Sequence, residues 1–220
     1  MSVHTESVDL SATRQAKQTR TLKIVLAINF LMFFIEFKVG MLIASMALLA
    51  DSLDMLGDAM VYGFSLFVVT QSHAMKAVSA LFKGLVMSAF GLFVLWQAID
   101  RFLNPLVPQY EWMGLIGLLA LIANMYCFHL LFSHREEDVN MKSVWICSRN
   151  DIIANISIVL AAIGVAITST QWPDLIVGFG IAILFLTSAF HIIKEAVTQL
   201  ADQEQSSRYR FGMFRKLLRM

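Results

Sequence analysis

Charge is scarce in this chain. Of its 220 residues, 15% are Asp, Glu, Lys or Arg and 58% are apolar, where an average soluble domain has ~25% and ~45–50%. That balance, with a mean hydropathy of +0.68, excludes an ordinary soluble domain. Cysteine is scarce too. The two present, Cys127 and Cys147, each lie inside an apolar stretch, which excludes a disulfide framework. Three prolines and no repeats or biased tracts leave little room for a disordered tail. An excess of one sign of charge is also missing. Seventeen Lys and Arg stand against sixteen Asp and Glu, a formal net charge of +1, which argues against nucleic acid as a partner. The length suits one domain or two.

The small net charge is a balance of opposite parts. Residues 1–23 and 194–220 carry ten Lys and Arg against five acids, whereas residues 24–193 carry seven against eleven. The bases sit at the ends and the acids in the apolar middle. A generic membrane anchor has no need of acids there.

What the chain does have is long apolar runs. A helical membrane span takes about 20 apolar residues. Residues 24–69 form one mostly apolar stretch, about 69 Å long as a single helix at ~1.5 Å per residue. A hydrocarbon layer of ~30 Å takes that as two spans, with the turn expected near residues 38–45, where Gly40 sits. Helices are expected near 23–41, 46–70, 77–100, 111–133, 141–168 and 175–198. The breaks between them are the polar run 71–76, Asn104-Pro105 through Pro108, the charged run 133–138, and Thr168 through Asp174. Proline ends helices and biases its predecessor to extended backbone, and Trp172 suits a membrane interface. The reading is an all-α, multi-pass membrane protein of six spans. Residues 1–22 are an N-terminal arm, 23–200 the transmembrane domain and 201–220 a short basic tail. A polar lead this long argues against a cleaved signal peptide.

Orientation follows the Lys/Arg bias. One side holds the ten terminal bases with Lys76, Arg135 and Lys142, and the other holds Lys38 and Arg101. Both termini are therefore expected in the cytoplasm, most simply of a bacterial inner membrane. The tail mixes Arg208, Arg210, Arg215, Lys216 and Arg219 with Tyr209, Phe211, Phe214, Leu217 and Leu218. It reads either as an amphipathic segment on an anionic leaflet or as a frayed positive end.

Helix 2 carries Asp51, Asp54 and Asp58. Spacings of three and four put all three on one helical face. One Asp at the bilayer centre costs about 2.5–3.5 kcal/mol, and three about 8–10 kcal/mol, unless paired, protonated or metal-bound. Whole domains are stable by only ~5–15 kcal/mol. The bland alternative, a loop or helix end, conflicts with the apolar sequence on both sides. On helix 5, Cys147 and Asp151 are also four apart. Two helices offering ligands at i and i+4 can supply the four donors of a tetrahedral site, the shape Zn²⁺ favours. Thiolate suits Zn²⁺, Cd²⁺ or Co²⁺ over Mg²⁺ or Ca²⁺. Spacing alone marks Asp54, Asp58 and Asp151 as a metal or proton site, and leaves Cys147 either a ligand or a small buried hydrophobe.

These residues resemble the transmembrane domain of the cation diffusion facilitator family. The likeness rests on Asn29 and Glu36 in helix 1, and on Ser45-Met46-Ala47-Leu48-Leu49-Ala50-Asp51-Ser52-Leu53-Asp54-Met55-Leu56-Gly57-Asp58. It also takes in the Cys147/Asp151 pair and Trp172-Pro173-Asp174, and covers roughly residues 20–200. It implies a six-helix bundle that exports divalent metal in exchange for protons, as a homodimer. It implies Asp54, Asp58, Cys147 and Asp151 as the metal ligands, with no permanent cofactor and the metal as substrate. Three departures stand out. Cys147 takes the place of the family's usual His, and a thiol is neutral at pH 7 unless a metal or cation lowers its pKa. The residues after helix 6 are too few for the family's usual cytoplasmic metal-binding domain. The 134–142 loop holds a single His, His134, so a histidine-rich metal-collecting loop is not expected.

Other polar residues have competing readings. Asp51 is a supporting acid behind the ligands or a helix-packing residue, a proton acceptor, or a ligand itself. Arg149 and Asn150 flank the helix 5 pair. Arg149 either neutralises an aspartate in the metal-free state or snorkels to the interface. Asn29, Asn124 and Asn155 read as glue between helices, Glu36 and Lys38 as markers of the outer mouth, and Lys83 as a snorkelling lysine. His73, His129 and His134 read as surface or packing residues, and Cys127 as core. No paired His/Glu motif or nucleophile with a base points to an enzyme. Two other functions compete with metal export: a proton-coupled transporter of another substrate, with the aspartates as relay, and a non-transporting membrane subunit that binds metal.

Overall fold

The computed structural model describes the backbone of residues 2–68, 73–136 and 139–217. It describes the side chains of 16–63, 78, 80–136, 145, 148–198, 200 and 201. Its elements are α1 (Ser2–Ile43), α2 (Met46–Val68), α3 (His73–Leu103), α4 (Tyr110–Phe132), α5 (Val139–Thr168) and α6 (Trp172–Leu217). Among the described residues no strand forms.

Two helices outrun their apolar segments. The hydropathy places the start of α1 near 23 and the end of α6 near 198, but the helices reach back to Ser2 and on to Leu217. Hydropathy marks where lipid contact ends. Helical hydrogen bonding continues until something breaks it, and neither extension contains a proline. The amphipathic reading of the tail concerns side chains outside the described residues.

The α1–α2 turn lies at Ala44–Ser45, at the end of the expected 38–45 stretch. Ala44 takes a left-handed backbone, φ 61°, and the Ser45 N–H donates to the Gly40 carbonyl at 2.9 Å. That is the hydrogen-bond pattern of a Schellman helix end. Gly40 has a different use. A Cβ there would stand 3.1 Å from the Leu49 nitrogen and 3.2 Å from the Leu48 Cβ, so its lack of a side chain lets α1 and α2 pack closely.

The helices pair as α1 with α2, α3 with α6 and α4 with α5, and α2 touches α1, α3, α5 and α6. Among the described residues, five helical segments are long and apolar enough to cross a membrane: Ala16–Ile43, Ala80–Leu103, Tyr110–Phe132, Ser148–Thr168 and Trp172–Thr198. The sixth helix, α2, has 23 residues, about 34 Å at ~1.5 Å per residue, but carries three aspartates. Its neighbours shelter it. Met46 to Leu53 are all buried. Large apolar side chains such as Leu42, Leu92, Trp96, Ile167 and Leu184 face outward. Acids inside and hydrocarbon outside is the arrangement expected of an integral, multi-pass membrane protein.

The N-terminus of α2 is sealed by α6. Asp174 accepts hydrogen bonds from the Ser45 hydroxyl (2.6 Å), the Met46 N–H (2.7 Å) and the Ala47 N–H (3.0 Å). The first amides of a helix lack intrahelical partners, and a carboxylate there is favoured by both hydrogen bonding and the helix dipole. One turn later, a Cβ on Gly178 would fall 2.5 Å from the Met46 carbonyl carbon and 2.7 Å from the Ala47 nitrogen. Gly178 thus lets α6 lie directly on the α2 backbone. Gln171 ties down the α3–α4 loop, donating to the Arg101 carbonyl (3.0 Å) and accepting from the Leu106 N–H (2.8 Å).

Candidate metal site

The acidic face of α2 meets α5. Asp54 and Asp151 bring their carboxyl groups within hydrogen-bonding reach of each other, and Asp58 and Asp51 act on Asp151 through space. Asp51 and Asp151 are buried, and Asp54 and Asp58 are partly so. Positions 51, 54 and 58 share one face of α2, as their spacing predicts, and on α5 Asp151 and Asn155 share the inward face. Asp58 accepts a hydrogen bond from the Tyr62 hydroxyl at 2.9 Å, one turn further along α2.

The Cys147 side chain lies outside the described residues, as does that of His73. Among the described residues no three His, Cys, Asp or Glu side chains form a ready-made metal cluster. The arrangement is therefore a contact of two carboxyls, with a third directed at a tyrosine. Carboxylates at such a site bind a divalent cation by giving up protons, and a thiolate beside them would turn selectivity toward soft metals.

Behind this pair the polar side chains link three helices. Asn155 donates to Asp51 at 2.5 Å, and Asn124 on α4 donates to Asn155 at 2.8 Å. Asn124 and Asn155 are thus glue between helices. Asn29 instead donates to the Val25 carbonyl of its own helix at 3.1 Å. Arg149 and Asn150 are exposed, so the structure does not bring them to the acids.

Residues 22–201 match the cation efflux transmembrane domain. The chain belongs to the cation efflux family. Its relatives include the zinc transporter ZitB of Yersinia pestis, 26% identical over 201 residues, covering 86% of this chain and 64% of that protein. ZitB of Escherichia coli is 26% identical over 212 residues, 90% of this chain and 68% of that protein. The cadmium, cobalt and zinc/H(+)-K(+) antiporter of Bacillus subtilis is 25% identical over 198 residues, 82% of this chain and 64% of that protein. The chain thus spans about two thirds of the length of these relatives.

Two positions in this cation efflux domain overturn their sequence reading. Lys83 does not snorkel. It is buried, with 9% of its surface exposed, and acts electrostatically on Asp54 and Asp58. Its place follows from α3 packing: Met87, one turn on, contacts the site of a Cβ on Gly57 at 3.3 Å, so this face of α3 lies against the acidic stretch of α2. Glu36 does not mark an outer mouth. It is fully buried and faces Asp51, while Lys38 is exposed. Tyr62 had a signal in the sequence, its i+4 spacing from Asp58, that hydropathy hides. Cys127 is buried in a cluster with Leu22, Val25, Tyr62 and Leu131, as its apolar surroundings suggest.

Proposed function

We propose that this chain carries a divalent metal of the Zn²⁺, Cd²⁺ or Co²⁺ class out of the cytoplasm in exchange for protons. The contact between the Asp54 and Asp151 carboxyls, deep in a bundle whose outside is hydrocarbon, is the observation that carries the reading. The ligand set is Asp54, Asp58, Cys147 and Asp151. Asp51 stands behind it, held by Asn155. The names of the relatives, which specify zinc, cadmium and cobalt and in one case protons and potassium, support the same class. The metal is substrate, with no resident cofactor and no enzymatic step.

The chemistry gives the direction of coupling. Metal requires deprotonated carboxylates and thiolate. Facing the cytoplasm, the ligands release protons and take metal. Facing a more acidic exterior, they take protons and release metal. A rocking of helices relative to α2 and α5 exchanges the two faces. The termini face the cytoplasm, as the Lys/Arg bias implies, the membrane is the inner membrane of a bacterium, and the working unit is a homodimer.

The test is metal flux into proteoliposomes carrying the purified chain, with a pH gradient across the membrane. Zn²⁺ or Cd²⁺ accumulation that collapses when the gradient is dissipated is expected. Metal binding without flux would favour a non-transporting metal-binding subunit, and gradient-driven proton movement without metal binding would favour a transporter of another substrate.

A further inference from the structure

The Tyr62 hydroxyl donates to Asp58 Oδ2 at 2.9 Å, and the ring that carries it is held in place. Tyr62 is 1% exposed, among the largest fully buried side chains. Its ring sits in a cluster with Leu22 and Val25 of α1 and Cys127 and Leu131 of α4. The next residue, Gly63, brings α1 in close: a Cβ there would stand 3.3 Å from the Leu26 Cδ1. Neither α1 nor α4 supplies a ligand to the set above, yet both fix the donor that fixes Asp58. At the other end of the acidic row α4 acts as well. Asn124, three residues before Cys127 and so on the same face, donates to Asn155, which donates to Asp51. The row is clamped at Asp51 and at Asp58, with Asp54 between them turned to Asp151.

A carboxylate offers two oxygens, and a metal takes one or both. Asp54 stands one turn before Asp58 on α2 and Tyr62 one turn after it, so the hydrogen bond holds Oδ2 on the side away from Asp54 and leaves Oδ1 for the ion. We infer that Tyr62 is a positioning residue that sets specificity: it holds Asp58 to coordination through one oxygen and so keeps the transport site four-coordinate. Four ligands at short distance suit Zn²⁺. Cd²⁺ is larger and accommodates more donors, and between cations of different size the ligand number and rigidity of a site decide. Tyr62 thereby favours the smaller ion, against the pull of a Cys147 thiolate toward soft Cd²⁺. Hydrogen-bond partners of metal ligands typically move affinity by about 10–100-fold. This role deepens the transport reading and rests on Asp58 as a ligand.

The test compares the unmodified full chain, Tyr62→Phe and Asp58→Asn in lipid nanodiscs. Titration calorimetry reads Zn²⁺ and Cd²⁺ affinity. Visible absorption reads bound Co²⁺, whose d–d bands are strong in a four-coordinate site and weak when the coordination number rises. Tyr62→Phe keeps the ring in its cluster and removes only the hydroxyl. It should weaken Zn²⁺ by about tenfold or more while Cd²⁺ changes by less than about threefold, so that preference moves toward Cd²⁺. It should also dim the Co²⁺ bands at full occupancy. Retained Cd²⁺ binding shows that the variant folds. A packing role alone would weaken both metals together and leave the spectrum of bound Co²⁺ unchanged, and that result would overturn the inference. Asp58→Asn should weaken both metals. If it does, and Tyr62→Phe shifts neither the ratio nor the spectrum, the ligand set stands and the role of Tyr62 falls. If Asp58→Asn leaves both affinities unchanged, Asp58 leaves the ligand set and the role of Tyr62 falls with it.

Discussion

Asp174, in the first turn of α6, accepts a hydrogen bond from the Met46 N–H at 2.7 Å, so one helix seals the start of another. The same carboxyl also holds Ser45 and Ala47. That seal positions the helix that bears Asp51, Asp54 and Asp58, although Asp174 stands far from them in sequence.

Removing the seal should cost stability. Asp174→Ala strands two buried amides and a hydroxyl, and leaving buried donors unpaired costs about 1–3 kcal/mol. Thermal unfolding in nanodiscs should show a lower midpoint, with the α2 N-terminus losing amide protection first. An unchanged midpoint would mean that water replaces the carboxylate without penalty. Gly178→Leu should do comparable damage for a different reason, because its side chain must displace the Met46 and Ala47 backbone, and overpacking costs about 1–3 kcal/mol.

Lys83 places a cation beside Asp54 and Asp58 before any metal arrives. An incoming divalent ion is repelled by it. Lys83→Gln should therefore tighten Zn²⁺ or Cd²⁺ binding, by about tenfold or more at the effective dielectric of ~20 that suits protein sites. It should also slow release, so that flux falls while affinity rises. Titration calorimetry and flux on the same preparation check both. Weaker binding in Lys83→Gln would show that the lysine organises the acids instead of competing with the metal.

The thiol on α5 sets metal preference if Cys147 is a ligand. Cys147→Ser should weaken Cd²⁺ more than Zn²⁺, since Cd²⁺ is the softer ion, and Cys147→His should shift preference toward Zn²⁺. Competition between the two metals in flux or binding reads the ratio directly. An unchanged ratio in both variants would remove Cys147 from the ligand set.

Much of this architecture is legible in the sequence because a membrane imposes a simple code. Apolar length marks the spans, and the i, i+3, i+7 spacing of Asp51, Asp54 and Asp58 puts three acids on one face. What spacing cannot give is the partner across the interface. Lys83 and Glu36 sit where hydropathy suggests a helix end, so both read as interface residues. Packing instead turns each inward, Lys83 to Asp54 and Asp58, and Glu36 to Asp51. Helix ends show the same limit. Spacing places the turn within 38–45 but not the residue that makes it: Ala44 takes the left-handed backbone, while Gly40 serves close packing of α1 on α2. Arg149 and Asn150 flank the helix 5 pair in sequence, but a step of one or two residues turns a side chain off the shared face, and both end up exposed.

The most direct measurement is gradient-driven Zn²⁺ flux in proteoliposomes by Asp54→Asn and Asp151→Asn, beside the unmodified chain. These two carboxyls touch across α2 and α5, and each substitution keeps shape while removing charge. Flux at background in both variants, with the protein still folded and inserted, is the expected result. Flux at the unmodified rate in either one would contradict a transport site built on Asp54 and Asp151.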